Sequence, residues 1–412
     1  MELSGVETEK RGYRALLQYK DFLKIWAGNT ISRFGDAIDS IAFLWMVYKM
    51  TGSTLMMGTV MAVNAAPAVL FGMPAGVLVD RMDKKKVMII TDLLRGITTA
   101  LMAFLYISGM ISLWHLYVLT FINSFCEVFA SPARASVMQV LVDKKHYLPA
   151  NSLRQASSSA AEIAGTAVAA VVMGYIGIGA AILIDSATFF LSSFTAIIAK
   201  IDIISNKNEP LNMKQFYFEF VEGVTVIKSN IILLVSLTMA CLVNLVLAPF
   251  NVLLPEYSDK ILTAGEKGMS LVLMSFTVGM IAGSLVIGQI GDRFKRSTLI
   301  IAGFLGLGIG MMSFGFISYI GLACAAAGVT GVFIPIISAG SMTLMQESTP
   351  VDKMGRVMAT TSTLCLLGLP LGYAVSGILA SGINILTTFK FVGVLIILIS
   401  IPPIFIKQFR QH

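Results

Sequence analysis

Charge is scarce in this chain. Of 412 residues only 13% are Asp, Glu, Lys or Arg, while 56% are hydrophobic and the mean hydropathy is +0.82. A soluble domain carries about 25% charged residues, so a water-facing globule is excluded. Histidines number three and are scattered, which leaves nothing from which to build a His-based metal cage. The four cysteines, Cys126, Cys241, Cys324 and Cys365, lie inside apolar runs at spacings that match no disulfide framework or metal site, and they read as small buried hydrophobes. There is no G-x-S-x-G elbow, no H-E-x-x-H and no usable His/Cys pair, so the chain is expected not to be an enzyme, and to need no cofactor or metal. A Walker A lysine loop is missing, which removes ATP as a direct energy source, and no loop resembles a channel filter. The first 20 residues lack the apolar core and small-residue cleavage site of a signal peptide.

What is present in abundance is long apolar runs. Lipid offers the backbone no hydrogen-bond partners, so membrane spans must be helices or a closed barrel. These runs are about 20 residues long and do not alternate, which selects helices. Twelve spans are expected, at 22–49, 56–79, 87–108, 113–139, 150–173, 178–199, 231–254, 268–290, 297–318, 320–345, 355–379 and 384–406. Lysines and arginines crowd one side of them, 22 against 4, placing both termini in the cytoplasm of a cell-membrane protein. The net charge of +7 is then the signature of basic loops facing anionic lipid, with no nucleic-acid partner implied. The longest connection divides the spans six and six. The expected organisation is an N-terminal bundle over 1–200, a linker over 201–230 and a C-terminal bundle over 231–412. Within the linker, Phe216, Phe220, Val224 and Ile227 recur at helical spacing, as in an amphipathic helix lying on the inner membrane surface.

The halves echo each other. GVLVDRMDKK begins at Gly76 and GQIGDRFKR at Gly288, which puts Asp80 and Asp292 212 residues apart, about half the chain. With twelve spans split six and six, this loop resembles the signature of the major facilitator superfamily. Further stretches, SRFGDAID at 32–39, TGS at 51–53, the run from Pro74 to Gly96, SPARASVMQVLV at 131–142, ANSLRQ at 150–155 and GRVMA at 355–359, are similar to the branch that holds macrolide-efflux proteins and the enterobactin exporter. The resemblance implies an all-α fold of two pseudo-symmetric six-helix bundles and a functional monomer. It also implies a secondary transporter that exports a hydrophobic or amphipathic small molecule by alternating access, in antiport with protons. Thr166 stands where antiporters of the superfamily often carry the proline of a Gly-Pro pair. Uptake, export of a metal chelate, and a non-transporting receptor or scaffold are the other readings.

Charges inside the spans are the functional candidates, because each costs about 2.5–3.5 kcal/mol at mid-bilayer and must face a bundle interior or a wet cavity. Arg33, Asp36 and Asp39 step by three along the first span. Arg33 can pair with Asp36, while Asp39 has no local cation. A carboxyl that takes a proton from one side and releases it to the other would couple a proton gradient to export. Glu127 and Glu162 compete for that role or for binding a cationic substrate, and Asp185 reads as structural. Asn123, Asn244 and Asn251, with Arg33, Asp36, Asp39 and Glu127, are candidates for the substrate pocket. Asp80, Arg81, Asp92, Arg95, Arg134, Asp292, Arg293 and Arg356 cluster towards the cytoplasmic ends and are expected to form an inner gate, made in one conformation and broken in the other.

Overall fold

The computed structural model describes residues 12–143, 146–201, 213–290, 294–349 and 353–411. Six long helices form the first half: α1 (Lys20–Thr51), α2 (Thr54–Arg81), α3 (Lys84–Ile107), α4 (Leu113–Val140), α5 (Tyr147–Tyr175) and α6 (Ile178–Ile198). The linker contributes α7 (Met213–Ser229). The second half holds α8 (Ile231–Glu256, continued by a π turn to Ile261), α9 (Gly265–Ile290), α10 (Arg296–Phe314), α11 (Ile320–Ser348), α12 (Met354–Gly382) and α13 (Ile385–Ser400). Eleven of the described helices are long and apolar enough to cross a membrane. α1, at 32 residues, is the remaining long helix of the two bundles, and the charges it carries set it apart from those eleven.

Short connections fix the up-and-down path. Two residues join α1 to α2, where Gly52 adopts a left-handed φ of 58° and Ser53 caps the next helix by accepting from the Met56 amide. Two more join α2 to α3, and Asp83 caps α3 by accepting from the Lys86 amide. The capping carboxylate of the first signature loop is therefore Asp83. The side chain of Asp80 lies outside the described residues, as do Asp292 and Arg293 altogether.

The pairing scheme of the first six helices recurs in the second. α1 packs on α5 and α6, α2 on α4, and α3 on α4 and α6; likewise α9 packs on α11, and α10 on α11 and α13, while α8 packs on α12 and meets α11 more than α13. The halves meet along α2 with α12 and, symmetrically, α5 with α9. At the first of these seams Gly58 faces the Tyr373 carbonyl and Gly377, and a Cβ at Gly58 would sit 2.5 Å from that oxygen. Backbones meet there without side chains between them. Tyr48 reinforces the same end by donating to Asp259 across the halves at 3.0 Å.

α3 shows why the interior is polar. Ile90, Leu94, Ile97, Leu101 and Phe104 are exposed on one face, whereas Thr91, Asp92, Arg95, Thr98 and Thr99 are buried on the other. Against lipid the usual amphipathic logic inverts: apolar side chains face outward, and polar ones are retained where neighbouring helices can satisfy them.

The linker helix has one face against the protein. Ile227 is buried among Leu233, Leu237, Met345 and Val357, and Glu222 accepts from Arg356 at 2.7 Å, so α7 is docked on the C-terminal half. Arg356, a candidate for the gate, joins this helix to α12 through that ion pair.

Candidate functional site

The N-terminal half contains a connected cluster of charges. Arg95 on α3 is its hub. Its Nη2 donates to Asp36 on α1 at 2.9 Å, its Nη1 to Glu127 on α4 at 2.5 Å, and its Nε to Asn123 at 3.1 Å. The guanidinium lies 4.1 Å over the Phe189 ring of α6, and Asn123 passes the chain on to Thr99 at 3.0 Å. Arg134 donates to Glu127 at 3.0 Å and to Asp92 at 2.5 Å, and Ser192 on α6 donates to the second oxygen of Asp92 at 2.7 Å. Arg33, half exposed, approaches Asp36 at 3.6 Å and Glu127 at 3.5 Å.

Three arginines thus meet three carboxylates, and the network as a whole is neutral. Neutrality matters here: an isolated buried ion costs several kcal/mol, and pairing with full hydrogen bonding is what offsets it. Helix geometry brings the partners together. Asp92 and Arg95 are one turn apart on α3, and Glu127 and Arg134 two turns apart on α4, so each helix offers one face to the junction. α1 reaches it because Gly35 lets α6 approach; a Cβ there would meet the Thr188 hydroxyl and the Asp185 carboxylate.

Two acids stand beyond this balance. Asp185, 1% exposed, accepts from Thr188 at 3.3 Å. Asp39, one turn along α1 from Asp36, has Asp36, Asp185 and Arg95 as charged neighbours, and its Oδ1 is buried with no hydrogen-bond partner.

A cavity of ≈ 580 Å³ lies between the halves, walled by Asn64, Ala68, Gly72 and Gly76 of α2, Ser124, Glu127 and Ser131 of α4, and Leu366, Leu369 and Tyr373 of α12. Its α2 wall runs from Asn64 to Gly76, towards the end of the helix that bears Arg81. Glu127 is the one predicted acid in this wall. Asn64 donates to Thr120 at 2.7 Å beside it, and Asn251 stands next to the Tyr373 hydroxyl.

The sequence expectations divide accordingly. Asp36, Glu127, Asn123 and Arg33 are brought together, but the principal cation of Asp36 is Arg95, with Arg33 further off. Asp92, Arg95 and Arg134, expected in an inner gate, make all their polar contacts within the N-terminal half, because their partners lie on α1, α4 and α6. Arg81 is partly exposed at the end of α2. Glu162 is exposed on α5 and outside the network. Asn244 is a tie between helices, donating to the Cys365 carbonyl at 3.3 Å. Ser192 and Phe189 were missed; their signal was a stripe on the sixth span, with Asp185, Phe189 and Ser192 at helical spacing.

The helices, the seams and the cavity between two repeated halves define a membrane transporter of the major facilitator fold. Solved structures agree: the nucleoside transporter NupG superposes with a TM-score of 0.75 at 12% identity, covering 92% of this chain and 96% of that one. A bacterial homologue of the human lysosomal transporter Spinster, in an inward-facing and unoccupied conformation, gives 0.73 at 11% identity, covering 95% and 96%. The family model described as transmembrane secretion effector matches residues 13–409, and the chain belongs to that family. Among curated relatives, macrolide efflux protein A of Streptococcus pyogenes is 29% identical over 394 residues, 95% of this chain and 96% of its own length. The multidrug efflux pump Tap of Mycolicibacterium fortuitum is 21% identical, covering 92% and 93%.

Proposed function

We propose that the protein is a proton-driven exporter of a hydrophobic or amphipathic small molecule, macrolide-like, drug-like or siderophore-like, working as a monomer in the cell membrane with its basic end in the cytoplasm. The observation that carries this reading is the cavity walled by Glu127, with the two halves in contact at the Gly58–Gly377 seam and through the Tyr48–Asp259 bond. With that seam outermost, the cavity faces the cytoplasm and collects its cargo there. The efflux activity named for two relatives supports export over uptake.

Proton coupling is assigned to the acids in excess of the arginines. Asp36, Glu127 and Asp92 each pair with an arginine, whereas Asp39 has an oxygen without a partner. A proton arriving at Asp39 changes the charge of the cluster and so the balance between the two states; a few kcal/mol of differential stabilisation suffices to move such an equilibrium. Purified protein in liposomes with an imposed pH gradient tests the reading, screening dyes, macrolides and siderophores. Gradient-driven accumulation of a compound inside inverted vesicles is expected. Failure of every amphipathic compound to move, with binding intact, would sink the exporter assignment.

A further inference from the structure

A second, smaller pocket of about 120 Å³ opens beside the central cavity, between α1, α4 and α5, and Ser131 and Ala135 of α4 line both. Its chemistry is one-sided. Arg33, Arg134 and Arg154 line it, together with hydroxyls and an amide, and no carboxylate does. Trp26 supplies an aromatic edge, its indole held by Ser157 at 2.9 Å.

The donors in this pocket are not spent. Arg134 uses Nη1 and Nη2 on Glu127 and Asp92, but its Nε is buried without a partner although the residue is only 9% exposed. Ser32, 2% exposed, likewise presents a buried hydroxyl with no partner. Arg33 holds its carboxylates only at 3.5 Å and 3.6 Å. The exposed side chain of Arg154 pairs with no other described residue, so its charge lies outside the neutral network, while its backbone carbonyl accepts from Ser157. Buried N–H and O–H groups left unpaired are costly, and the exposed Arg154 adds a solvent-facing cation to the same lining.

We infer that this pocket binds an oxyanion, a carboxylate or phosphate group, and that it is the subsite for the acidic end of the exported molecule. The volume sets the division of labour. Drug-sized sites occupy about 300–1,000 Å³, so the small pocket holds a head group only, and the body of the ligand lies in the adjoining cavity. Guanidinium groups suit such a head because their forked donors match the paired oxygens of a carboxylate or phosphate. The claim about cargo rests on the exporter reading; the claim about anion binding does not.

The test compares two dyes sharing a xanthene core, anionic fluorescein and cationic rhodamine 6G, by fluorescence anisotropy with the full chain in uncharged detergent. Fluorescein is expected to bind at least about tenfold tighter, the worth of one charge-assisted hydrogen bond. Arg154→Gln is expected to weaken fluorescein about tenfold, and Arg154→Lys to retain part of the affinity. Ser32→Ala is expected to weaken it by a smaller factor. Unchanged thermal midpoints certify folding; were Arg154→Gln to misfold, Arg154→Lys and Ser32→Ala carry the comparison. Equal binding of the two dyes, or fluorescein affinity indifferent to these variants, overturns the inference. Displacement of fluorescein by inorganic phosphate assigns the site to a soluble anion. Displacement by phosphatidylglycerol and not by phosphatidylcholine, with inorganic phosphate inert, keeps the oxyanion chemistry and gives the site to a lipid head group. Because no gradient is used, anion binding without export in liposomes separates this result from failure of the transporter reading.

Discussion

Arg95 and Glu127 form a short link in the N-terminal charge cluster, Nη1 to Oε2 at 2.5 Å, and the same oxygen accepts from Arg134 at 3.0 Å. Glu127 thereby belongs to two structures at once. It holds two arginines inside the bundle, and it presents the edge of the cluster to the cavity between the halves.

Glu127→Gln should therefore do more than abolish a binding contact. It leaves two largely buried arginines short of one negative charge, and breaking such a pair costs about 3–5 kcal/mol. A clear fall in thermal midpoint in detergent is expected. The double variant Glu127→Gln with Arg95→Gln restores neutrality and should lose less than the two single losses combined. Strict additivity would show that the pair is not coupled.

Asp39→Asn should behave in the opposite way. Its Oδ1 has no partner to lose, so the fold should stand and the thermal midpoint should barely move. Accumulation driven by a pH gradient should vanish, while exchange of substrate between the two sides of the vesicle persists. Full accumulation by this variant would remove Asp39 from the coupling step and make Glu127 the next acid to examine.

The outer seam can be loosened or blocked. Tyr48→Phe deletes one hydrogen bond between the halves, a net effect of about 0.5–1.5 kcal/mol, and should raise the share of molecules open at that end. Gly58→Leu places a side chain where the Tyr373 carbonyl and Gly377 now stand, and should hold that end open. Thiol labelling of a cysteine introduced at Leu55 reads both. No gain in labelling for Gly58→Leu would place the closure elsewhere.

Arg356→Gln provides a contrast. Its ion pair with Glu222 is about two-fifths exposed on both sides, and such pairs contribute roughly 0.2–1 kcal/mol. Stability should change little, and export should survive. Loss of export with stability intact would mean that docking of α7 matters to the conformational change itself.

Much of the architecture was legible in the residues, because lipid permits few answers. A run of about 20 apolar residues has no alternative to a helix, and lysines and arginines concentrated on alternate connections order the helices. The repeated Gly-x-x-x-Asp-Arg loop announced two halves, and the recurrence of the helix-pairing scheme agrees with it. Arg33, Asp36 and Asp39 stood out for the same reason: a charge in a span is expensive, and each one needs a partner or water.

Partnership was beyond the sequence. Spacing could join Arg33 to Asp36, three residues apart, but not Arg95 to Asp36 or Arg134 to Asp92, separated by 59 and 42 positions. Those bonds follow from how α1, α3, α4 and α6 cross, which glycines such as Gly35 allow and no periodicity records. Composition and periodicity determined by themselves that the chain crosses a membrane as two sets of helices with acids and arginines inside, since the solvent enforces that residue by residue. Which cation neutralises which acid, which acid is left over, and which arginines share a pocket were decided by tertiary packing alone, since electrostatic pairing depends on distance in space and the chain fixes only distance along itself.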